Sequence, residues 1–296
     1  MKKENKVLKV LKPYLLIAPA MIGIFLFSIY PIFKLVSMSF YNINQLNPSR
    51  TRFVGLDNYK KVFALESFHK ALSNTAVYTL FSVIFILSLA VLMAVWLGRK
   101  SSKMNSITQT AIFTPHIISM ISIALIWIWL MDPNYGLLNV ILKALGLKPL
   151  KWLQSSDTSL MSITLVSIWK SVGYYTILLI AALQNIPAEI YEAADLDNAG
   201  KFTTLRKITF PMISPQIFFS LIVMTIGSFK VFETVRVMTN GGPNNSTNTL
   251  VFMIYEEVFQ NARVGHGAAV GVVLVAIVAV LTAIYFYGLA KKVHYQ

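Results

Sequence analysis

The sequence lacks cysteine altogether and has few charged residues and few histidines. Without cysteine there is no disulfide framework, no iron–sulfur site and no thiol nucleophile. The four histidines, His69, His116, His266 and His294, are scattered without metal-ligand spacing, which argues against a structural zinc site. Charged residues make up only 13% of the 296 positions, whereas hydrophobic residues make up 56% and the mean hydropathy is +0.63. This composition excludes an ordinary soluble domain and favours a membrane protein.

Acidic residues are also scarce, since twelve acids stand against 26 basic residues and leave a net charge of +14. An excess of this size can indicate nucleic-acid binding. Here, however, the basic residues flank apolar runs. They include Lys2, Lys3, Lys6, Lys9 and Lys12 before the first run, Arg99, Lys100 and Lys103 after the second, and Lys291 and Lys292 after the last. Basic residues in such places face anionic lipid, so the charge predicts a lipid bilayer and no nucleic acid as partner.

Six apolar runs are long enough to cross a membrane, because a hydrocarbon core of ~30 Å takes about 20 helical residues. They occupy 14–40, 74–98, 108–131, 159–183, 216–238 and 266–290. We therefore predict an all-α polytopic protein with one transmembrane domain over 14–290, a tail over 1–13 before it and a tail over 291–296 after it. Ala18-Pro19-Ala20 resembles a signal-peptidase site, but too short an apolar stretch precedes it for cleavage to be expected.

Six spans place both termini on the same side of the membrane. Lys and Arg number thirteen in the segments on that side and nine in the loops on the other side. The positive-inside rule therefore predicts that both termini and the 184–215 loop are cytoplasmic.

Two shorter patterns predict packing and placement. The apolar run 137–145 is too short to span and is predicted to form an interfacial helix. Gly267 and Gly271 have the GxxxG spacing that allows helix backbones to approach closely.

The polar stretch 186–211 interrupts the apolar pattern. Pro187 suits the first turn of a helix, where its missing N–H leaves no bond unmade. Glu192 follows in an early turn, where the helix dipole favours negative charge. Ala193 and Ala194 are small, so we expect a partner to approach this helix closely.

A turn is predicted where this helix ends. Asn198 and Gly200 are the residue types that best tolerate a left-handed backbone, so they are expected to break the helix. A second helical segment follows, with Phe202, Leu205 and Ile208 predicted to face inward. The whole stretch is therefore predicted to be a helix–turn–helix elbow.

The same stretch carries a family motif. Its matching residues are Glu192, Ala193, Ala194, Ile208 and Pro211, while Asn198 and Phe210 stand where the pattern has Gly and Leu. The stretch thus resembles the EAA loop of the membrane subunits of ATP-binding-cassette importers, which docks on an ATPase. The resemblance implies ATPase-coupling residues at Glu192, Ala193, Ala194, Asp197, Asn198 and Gly200.

Two outer loops resemble the carbohydrate-uptake branch of that family, in particular the larger permease subunit of maltose transporters. They are FVGLDNYKKVF at 53–63 and TNGGP at 239–243. The resemblance implies a permease subunit that carries a sugar or oligosaccharide into the cytoplasm across a bacterial or archaeal cell membrane. It also implies an ATPase dimer, a second and different permease subunit and an extracytoplasmic solute-binding protein as partners, and no cofactor.

Charged residues within the predicted spans are functional candidates, because charge is costly in a bilayer. The candidates for a solute path are Lys170, Gly173, Tyr174, Lys230 and Glu233. In one interpretation Lys170 lines a hydrated path and hydrogen-bonds a polar solute. In the other, Lys170 forms a structural pair with Glu233, and Arg236 reaches the outer interface.

Enzyme motifs are missing from the sequence. Asp195 and Asp197 form one acidic cluster, whereas membrane prenyltransferases need two that face each other, and Gly200-Lys201 lacks the other residues of a phosphate loop. We therefore expect a transport subunit without catalysis, with ATP hydrolysis on a partner chain. Two alternatives remain open: an ion-gradient-driven transporter that uses Lys170 and Glu233, and a membrane-embedded scaffold.

Overall fold

A computed structural model describes residues 6–44, 48–98 and 102–288. The predicted tail 291–296 lies outside these residues, as do Lys2, Lys3, Arg99, Lys100, Lys291 and Lys292, which enter the orientation prediction. Within the described ranges the chain is almost entirely helical.

Five helices are long and apolar enough to cross a membrane, judged by length and composition. They are Lys12–Ser39, Glu66–Gly98, Ser159–Gln184, Lys201–Met238 and Val264–Gly288. The pair Lys103–Ile117 and Met120–Leu130 makes a sixth if it is counted as one span, although the two helices bend by 100° where they meet. The predicted all-α polytopic fold is confirmed. The bend falls inside the run 108–131, for which one span was predicted.

The chain divides into two compact units, Met1–Ala64 with Ile254–Val273 and Leu65–Met253 with Leu274–Gln296. The first unit contains α1 (Lys6–Ile24), a π-helical segment (Phe25–Ile29), α2 (Tyr30–Ser39), strands β1 (Tyr41–Asn42) and β2 (Arg52–Phe53), a 3-10 turn (Pro48–Arg50) and α3 (Asp57–Ala64). The two strands pair antiparallel. Helix α1 begins within the predicted tail 1–13.

The second unit contains the remaining helices. They are α4 (Glu66–Gly98), α5 (Lys103–Ile117), α6 (Met120–Leu130), α7 (Leu137–Ala144), α8 (Ser159–Gln184), α9 (Ala188–Leu196), α10 (Lys201–Thr204), a π-helical segment (Leu205–Thr209), α11 (Phe210–Phe229) and α12 (Glu233–Met238). Helix α13 (Leu250–Tyr255), a π-helical segment (Glu256–Gln260) and α14 (Val264–Gly288) complete the chain. Residues of α13 and α14 belong to both units.

In the first unit, α3 closes the open end of α2. The side-chain nitrogen of the buried Asn58 donates to the carbonyl oxygens of Ser39 at 2.7 Å and Tyr41 at 3.0 Å. The last carbonyls of a helix have no partner within it, so Asn58 satisfies one of them. The Tyr59 hydroxyl lies 2.7 Å from the Ser39 hydroxyl. Two residues of the 53–63 motif therefore have a packing role.

Three glycines of α14 allow close packing inside the first unit. A Cβ at Gly265 would collide with the Tyr41 carbonyl oxygen and the Asn58 side chain. A Cβ at Gly271 would lie 3.2 Å from the Leu35 side chain, and one at Gly267 would collide with Val258. The GxxxG spacing predicts close approach of helix backbones, and at Gly267 and Gly271 the nearest atoms are the side chains of Val258 and Leu35.

In the second unit, α4 and α8 form the central packed pair. Ala90 and Ala94 of α4 are fully buried against Leu179 and Ile180 of α8. Small residues on one helix let the larger ones on its neighbour approach, which raises the number of van der Waals contacts where lipid supplies no hydrophobic driving force. Helix α5 packs on α8, α11 packs on α4, and α12 packs on α6.

The loop 239–250 is held against the start of α4 by hydrogen bonds. The Asn74 side-chain nitrogen donates to the carbonyl oxygens of Asn245 and Asn248, each at 2.9 Å, and the Leu250 amide donates to the Thr75 hydroxyl at 3.0 Å. Asn240, which replaces a Gly of the motif, has a φ of 50°. Asn tolerates this left-handed conformation better than most residues, so the turn is kept without the glycine.

Candidate functional sites in the elbow and the membrane cavity

The first arm of the elbow is α9, which ends in a Schellman turn. Pro187 is its N-cap, one position before the predicted first turn. At the other end, the Ala199 amide donates to the Ala194 carbonyl at 2.9 Å and the Asn198 amide to the Asp195 carbonyl at 3.0 Å. This pattern requires a left-handed residue at its centre, and Asn198 supplies it with a φ of 53°.

Gly200 has a different role from the one predicted. Its φ of −65° and ψ of 151° are extended, and it is the N-cap of α10. Its carbonyl accepts the Thr204 amide at 3.0 Å. The turn therefore depends on Asn198 alone for its left-handed residue, and a side chain at position 200 would meet no atom within 4 Å.

The two arms of the elbow are joined by one side-chain contact. The Tyr191 hydroxyl of α9 lies 3.2 Å from the Thr209 hydroxyl at the end of the π-helical segment. Thr209 is buried and Tyr191 is half-buried. This hydrogen bond fixes the angle between the arms and links α9 to the start of α11.

Ala194, which was predicted to contact a partner, does not lie on the exposed face of the elbow. Its exposed fraction is only 6%. Ile186, Ile190 and Ala194 recur at four-residue spacing and turn toward the subunit's own interior, with Ile186 buried and Ile190 half-buried. Ala194 is small because its own chain surrounds it.

A second stripe of α9 does face outward. Glu189, Glu192, Ala193 and Leu196 recur at i, i+3, i+4 and i+7, and all four are exposed. Leu196 is 84% exposed. Of the predicted coupling residues, Glu192 and Ala193 lie on this stripe, and Asp197, Asn198 and Gly200 are exposed beside it at the turn.

Phe202 adds a second large apolar side chain to the outer surface. It is 73% exposed, although its predicted position was inward. The prediction assumed 3.6 residues per turn from Phe202 to Ile208, but α10 is four residues long and a π-helical segment follows it. The wider π turn breaks the register. We name Glu192, Ala193, Leu196 and Phe202 the elbow face.

Lys170 of α8 caps the broken end of α5. Its ammonium group donates to the carbonyl oxygens of Pro115 at 3.2 Å, His116 at 3.0 Å and Ile118 at 2.6 Å. An ammonium has three donors, and all three are used here. A cation at the C-terminal end of a helix also complements the helix dipole.

The three carbonyl contacts bear on both predicted roles of Lys170, a solute contact and a pair with Glu233. No ion pair joins Lys170 to Glu233 within the described residues. A solute would have to displace a backbone carbonyl to reach the ammonium. The sequence contains one signal for this site, Pro115 inside α5, because a proline removes a helix hydrogen bond and favours a break nearby.

A cavity of about 290 Å³, lined by both polar and apolar side chains, lies beside this cap. Its lining includes Tyr78, Ser82, Ser167, Lys170, Ser171, Tyr175, Ser228, Glu233 and Thr234. Seven of the fourteen lining residues carry hydroxyl groups, which can both donate and accept hydrogen bonds, and Ile86, Met120, Met224 and Val231 add an apolar part. The break between α11 and α12 places Ser228 and Glu233 at the cavity, so two interrupted helices meet there.

Three other predicted path residues lie outside this lining. A Cβ at Gly173 would collide with the Ile112 carbonyl oxygen, so Gly173 allows α5 to pack against α8. Tyr174 stacks on His116, with ring centroids 4.4 Å apart. Lys230 is the exposed C-cap residue of α11. The structure thus brings together Lys170 and Glu233 of the five predicted residues.

These features define a multi-pass membrane protein with a cavity where two interrupted helices meet and with an ordered polar elbow. Residues 86–294 match the family model described as the inner membrane component of binding-protein-dependent transport systems. The chain belongs to this family, which confirms the resemblance seen in the elbow motif. It is therefore a multi-pass permease subunit of the inner-membrane type.

Relatives and one solved structure agree with this membership. The chain is 34% identical over 285 residues to the probable ABC transporter permease protein YurN of Bacillus subtilis, covering 95% of this chain and 96% of YurN. It is 33% identical over 284 residues to the arabinooligosaccharides transport system permease protein AraP of Halalkalibacterium halodurans, covering 95% and 89%. A crystal structure of a bacterial ABC transporter involved in import of the acidic polysaccharide alginate has a TM-score of 0.82 at 25% identity, covering 96% of this chain and all of that one.

Proposed function

We propose that this chain is the permease subunit of an ATP-driven importer and that its elbow docks on a separate ATPase. The observation that carries the proposal is the elbow face. Leu196 and Phe202 are large apolar residues exposed on a polar segment, and such surface is typical of protein contacts. The exposed Glu192 and its acidic neighbours favour a partner groove of positive charge.

We place the elbow and both termini in the cytoplasm. The support is the count of basic residues, thirteen on that side against nine on the other. A single transmembrane domain over 14–290 with short tails fits this orientation, in the cell membrane of a bacterium or archaeon. The ATPase is then on the side where ATP is available.

The partners follow from family membership and from the form of the site. An ATPase dimer hydrolyses ATP, an extracytoplasmic binding protein delivers the solute, and a second, different permease subunit completes the path. Glu233 is exposed in this chain although it lies inside a candidate span, which fits a cavity that the second subunit closes. For ATP to drive the cycle, the ATPase must bind two permease conformations with different affinities. No cofactor is needed for this work.

The solute class we propose is a saccharide. The hydroxyl-rich lining of the cavity suits a solute with many hydroxyl groups. The named cargoes of similar proteins, arabinooligosaccharides and alginate, belong to the same class. Because all three Lys170 donors are used by carbonyls, Glu233 and the hydroxyls are the groups available to the solute.

Uptake into vesicles tests the proposal. The assembled transporter, with its binding protein, should import arabinooligosaccharide or another saccharide only when ATP is present on the elbow side. Leu196→Asp should reduce this uptake at least about fivefold, since a charge in a desolvated contact typically costs about 1–3 kcal/mol or more. Gln154→Asp is the matched control, because Gln154 is exposed on an outer loop. Uptake driven by an ion gradient without ATP would favour the alternative and overturn the proposal.

A further inference from the structure

Helix α7 has its apolar residues on the outside. Leu137, Val140 and Ile141 recur at i, i+3 and i+4 and are all exposed, and Leu145 beyond the helix end is 69% exposed. A helix in a water-soluble protein turns such a stripe toward the core. In α7 the buried residue is instead a polar one, Asn139, which is only 1% exposed. The helix therefore presents its apolar side to something other than water.

The side chain of Asn139 holds α7 in this orientation. Its side-chain nitrogen donates to the carbonyl oxygens of Pro133 at 3.0 Å and Leu150 at 2.9 Å. Its side-chain oxygen accepts from the Leu150 amide at 3.0 Å and the Trp152 indole at 2.9 Å. The amide group thus makes four hydrogen bonds, which is close to all it can make. Asn139 thus ties the loop before α7 and the loop after α7 to the helix.

Aromatic residues place α7 at the edge of the bilayer. Trp129 lies in the last turn of α6, which forms part of a candidate span, and it is exposed. Tyr135 follows, also exposed, two residues before α7 begins. Trp and Tyr concentrate where membrane and water meet. The exposed aromatic residues that precede α7 are thus of the types found at the membrane boundary.

The segment also has a strong bias of charge. Between Asp132 and Asp157 the chain contains three lysines and no acidic residue. Lys143, Lys148 and Lys151 are exposed, and no ion pair involves them within the described residues. Positive charge beside an apolar helix face is the pattern of helices that lie in an anionic membrane surface.

We propose that α7 is an interfacial anchor for anionic phospholipid. Its apolar face lies among the upper acyl chains, and Lys143, Lys148 and Lys151 bind the phosphate groups of the lipid. Through the bonds of Asn139, lipid binding then holds the connection between the bent third span and α8. This anchor depends on insertion in a bilayer and not on which solute the subunit carries.

Fluorescence quenching in nanodiscs tests the anchor. Because the chain has no cysteine, Ile141→Cys gives one position for an environment-sensitive fluorophore in the full-length subunit purified with its copurifying subunits. Two controls frame the result. Leu125→Cys lies on the exposed side of α6 and reports lipid, and Gln154→Cys lies on an exposed polar loop and reports water.

The expected result has two parts. A nitroxide-labelled phosphatidylcholine should quench position 141 and spare position 154, whereas iodide should quench 154 and spare 141. A nitroxide-labelled phosphatidylglycerol at equal mole fraction should quench 141 at least about twofold more than the phosphatidylcholine does. Changing Lys143, Lys148 and Lys151 together to Gln should remove this excess, and 0.5 M salt should reduce it.

Three outcomes would overturn the proposal. Quenching of position 141 by iodide alone would place the face in water. Protection from both iodide and lipid would mean that a protein covers it, such as the second permease subunit. Equal quenching by the two lipids, unchanged in the triple Gln variant, would remove the anionic-lipid site.

Discussion

The ammonium group of Lys170 donates a 2.6 Å hydrogen bond to the carbonyl oxygen of Ile118, at the point where the third span breaks. Two further carbonyls, of Pro115 and His116, share the same ammonium. A helix that ends inside a membrane leaves carbonyl groups that water cannot reach. Lys170 satisfies three of them at once and so stabilises the 100° bend.

Replacing Lys170 should therefore cost stability that no change at Glu233 restores. Lys170→Met leaves three carbonyls without their donor, and the loss should be at least about 3 kcal/mol, since each hydrogen bond to a charged group contributes roughly 1.5–3 kcal/mol. Thermal unfolding of the purified subunit measures it. The double variant Lys170→Met with Glu233→Gln should unfold like the single one. Recovery in the double variant would mean that the two residues pair after all.

The Asn58 contact gives a second prediction. Asn58→Ala removes two hydrogen bonds and leaves the Ser39 and Tyr41 carbonyls without that donor. We expect a loss of about 2 kcal/mol in the free energy of unfolding. Lys61→Gln is the control, because its ion pair with Asp57 is exposed and should be worth less than about 1 kcal/mol. Equal stability of Asn58→Ala and the parent would show that the clamp is not needed.

Glu257 predicts a dependence on pH. Burial by itself raises the pKa of this carboxyl. Hydrogen bonds from His266 and Asn261 and the nearby charge of Arg263 together lower the pKa by more than burial raises it, so the pKa lies below its ordinary value of 4.5. A lowered pKa means that the ionised group stabilises the fold above the unfolded-state pKa, and that this stability is lost as pH falls through the folded-state pKa.

Thermal unfolding at several pH values checks this. At pH 7, Glu257→Gln should be less stable than the parent by about 1–3 kcal/mol, because the bonds to the buried charge are weakened. The two should approach each other as pH falls below about 4.5. A difference that stays constant or grows toward low pH would contradict the assignment of the effect to the ionised carboxylate.

The sequence predicted the elements of this protein better than the direction of single side chains. The apolar runs are long, and the turn at Asn198 follows from a residue type that tolerates the left-handed conformation. Phe202 was predicted inward because a π-helical segment cannot be read from apolar spacing. Ala194 was predicted to contact a partner. A small side chain suits a close contact within its own chain equally well, so size alone does not distinguish the two.

The residues around the membrane cavity were likewise predicted only in part from the sequence. Lys170 was found because a lysine in an apolar run is conspicuous. Its partners are backbone carbonyls of another helix, and no side-chain pattern marks those. Gly173 was grouped with it by nearness along the chain, but it lies on a different face of α8 from Ser171 and Tyr175, which line the cavity, and it contacts Ile112.

Two adjacent alanines test the central claim that the elbow face binds the ATPase. Ala193 is exposed on that face, and Ala194 is buried beneath it. Ala193→Trp should block docking and leave the unfolding temperature of the subunit unchanged. Ala194→Trp should instead destabilise the subunit by about 1–3 kcal/mol, because a large side chain does not fit a packed site.

The decisive measurement is the amount of ATPase that copurifies with the Ala193→Trp subunit, relative to the parent. We predict a fall of at least about fivefold, since overpacking a contact costs roughly 1–3 kcal/mol or more, with the subunit still inserted and thermally stable. Parent levels of ATPase on a stable Ala193→Trp subunit would show that this face is not the docking surface.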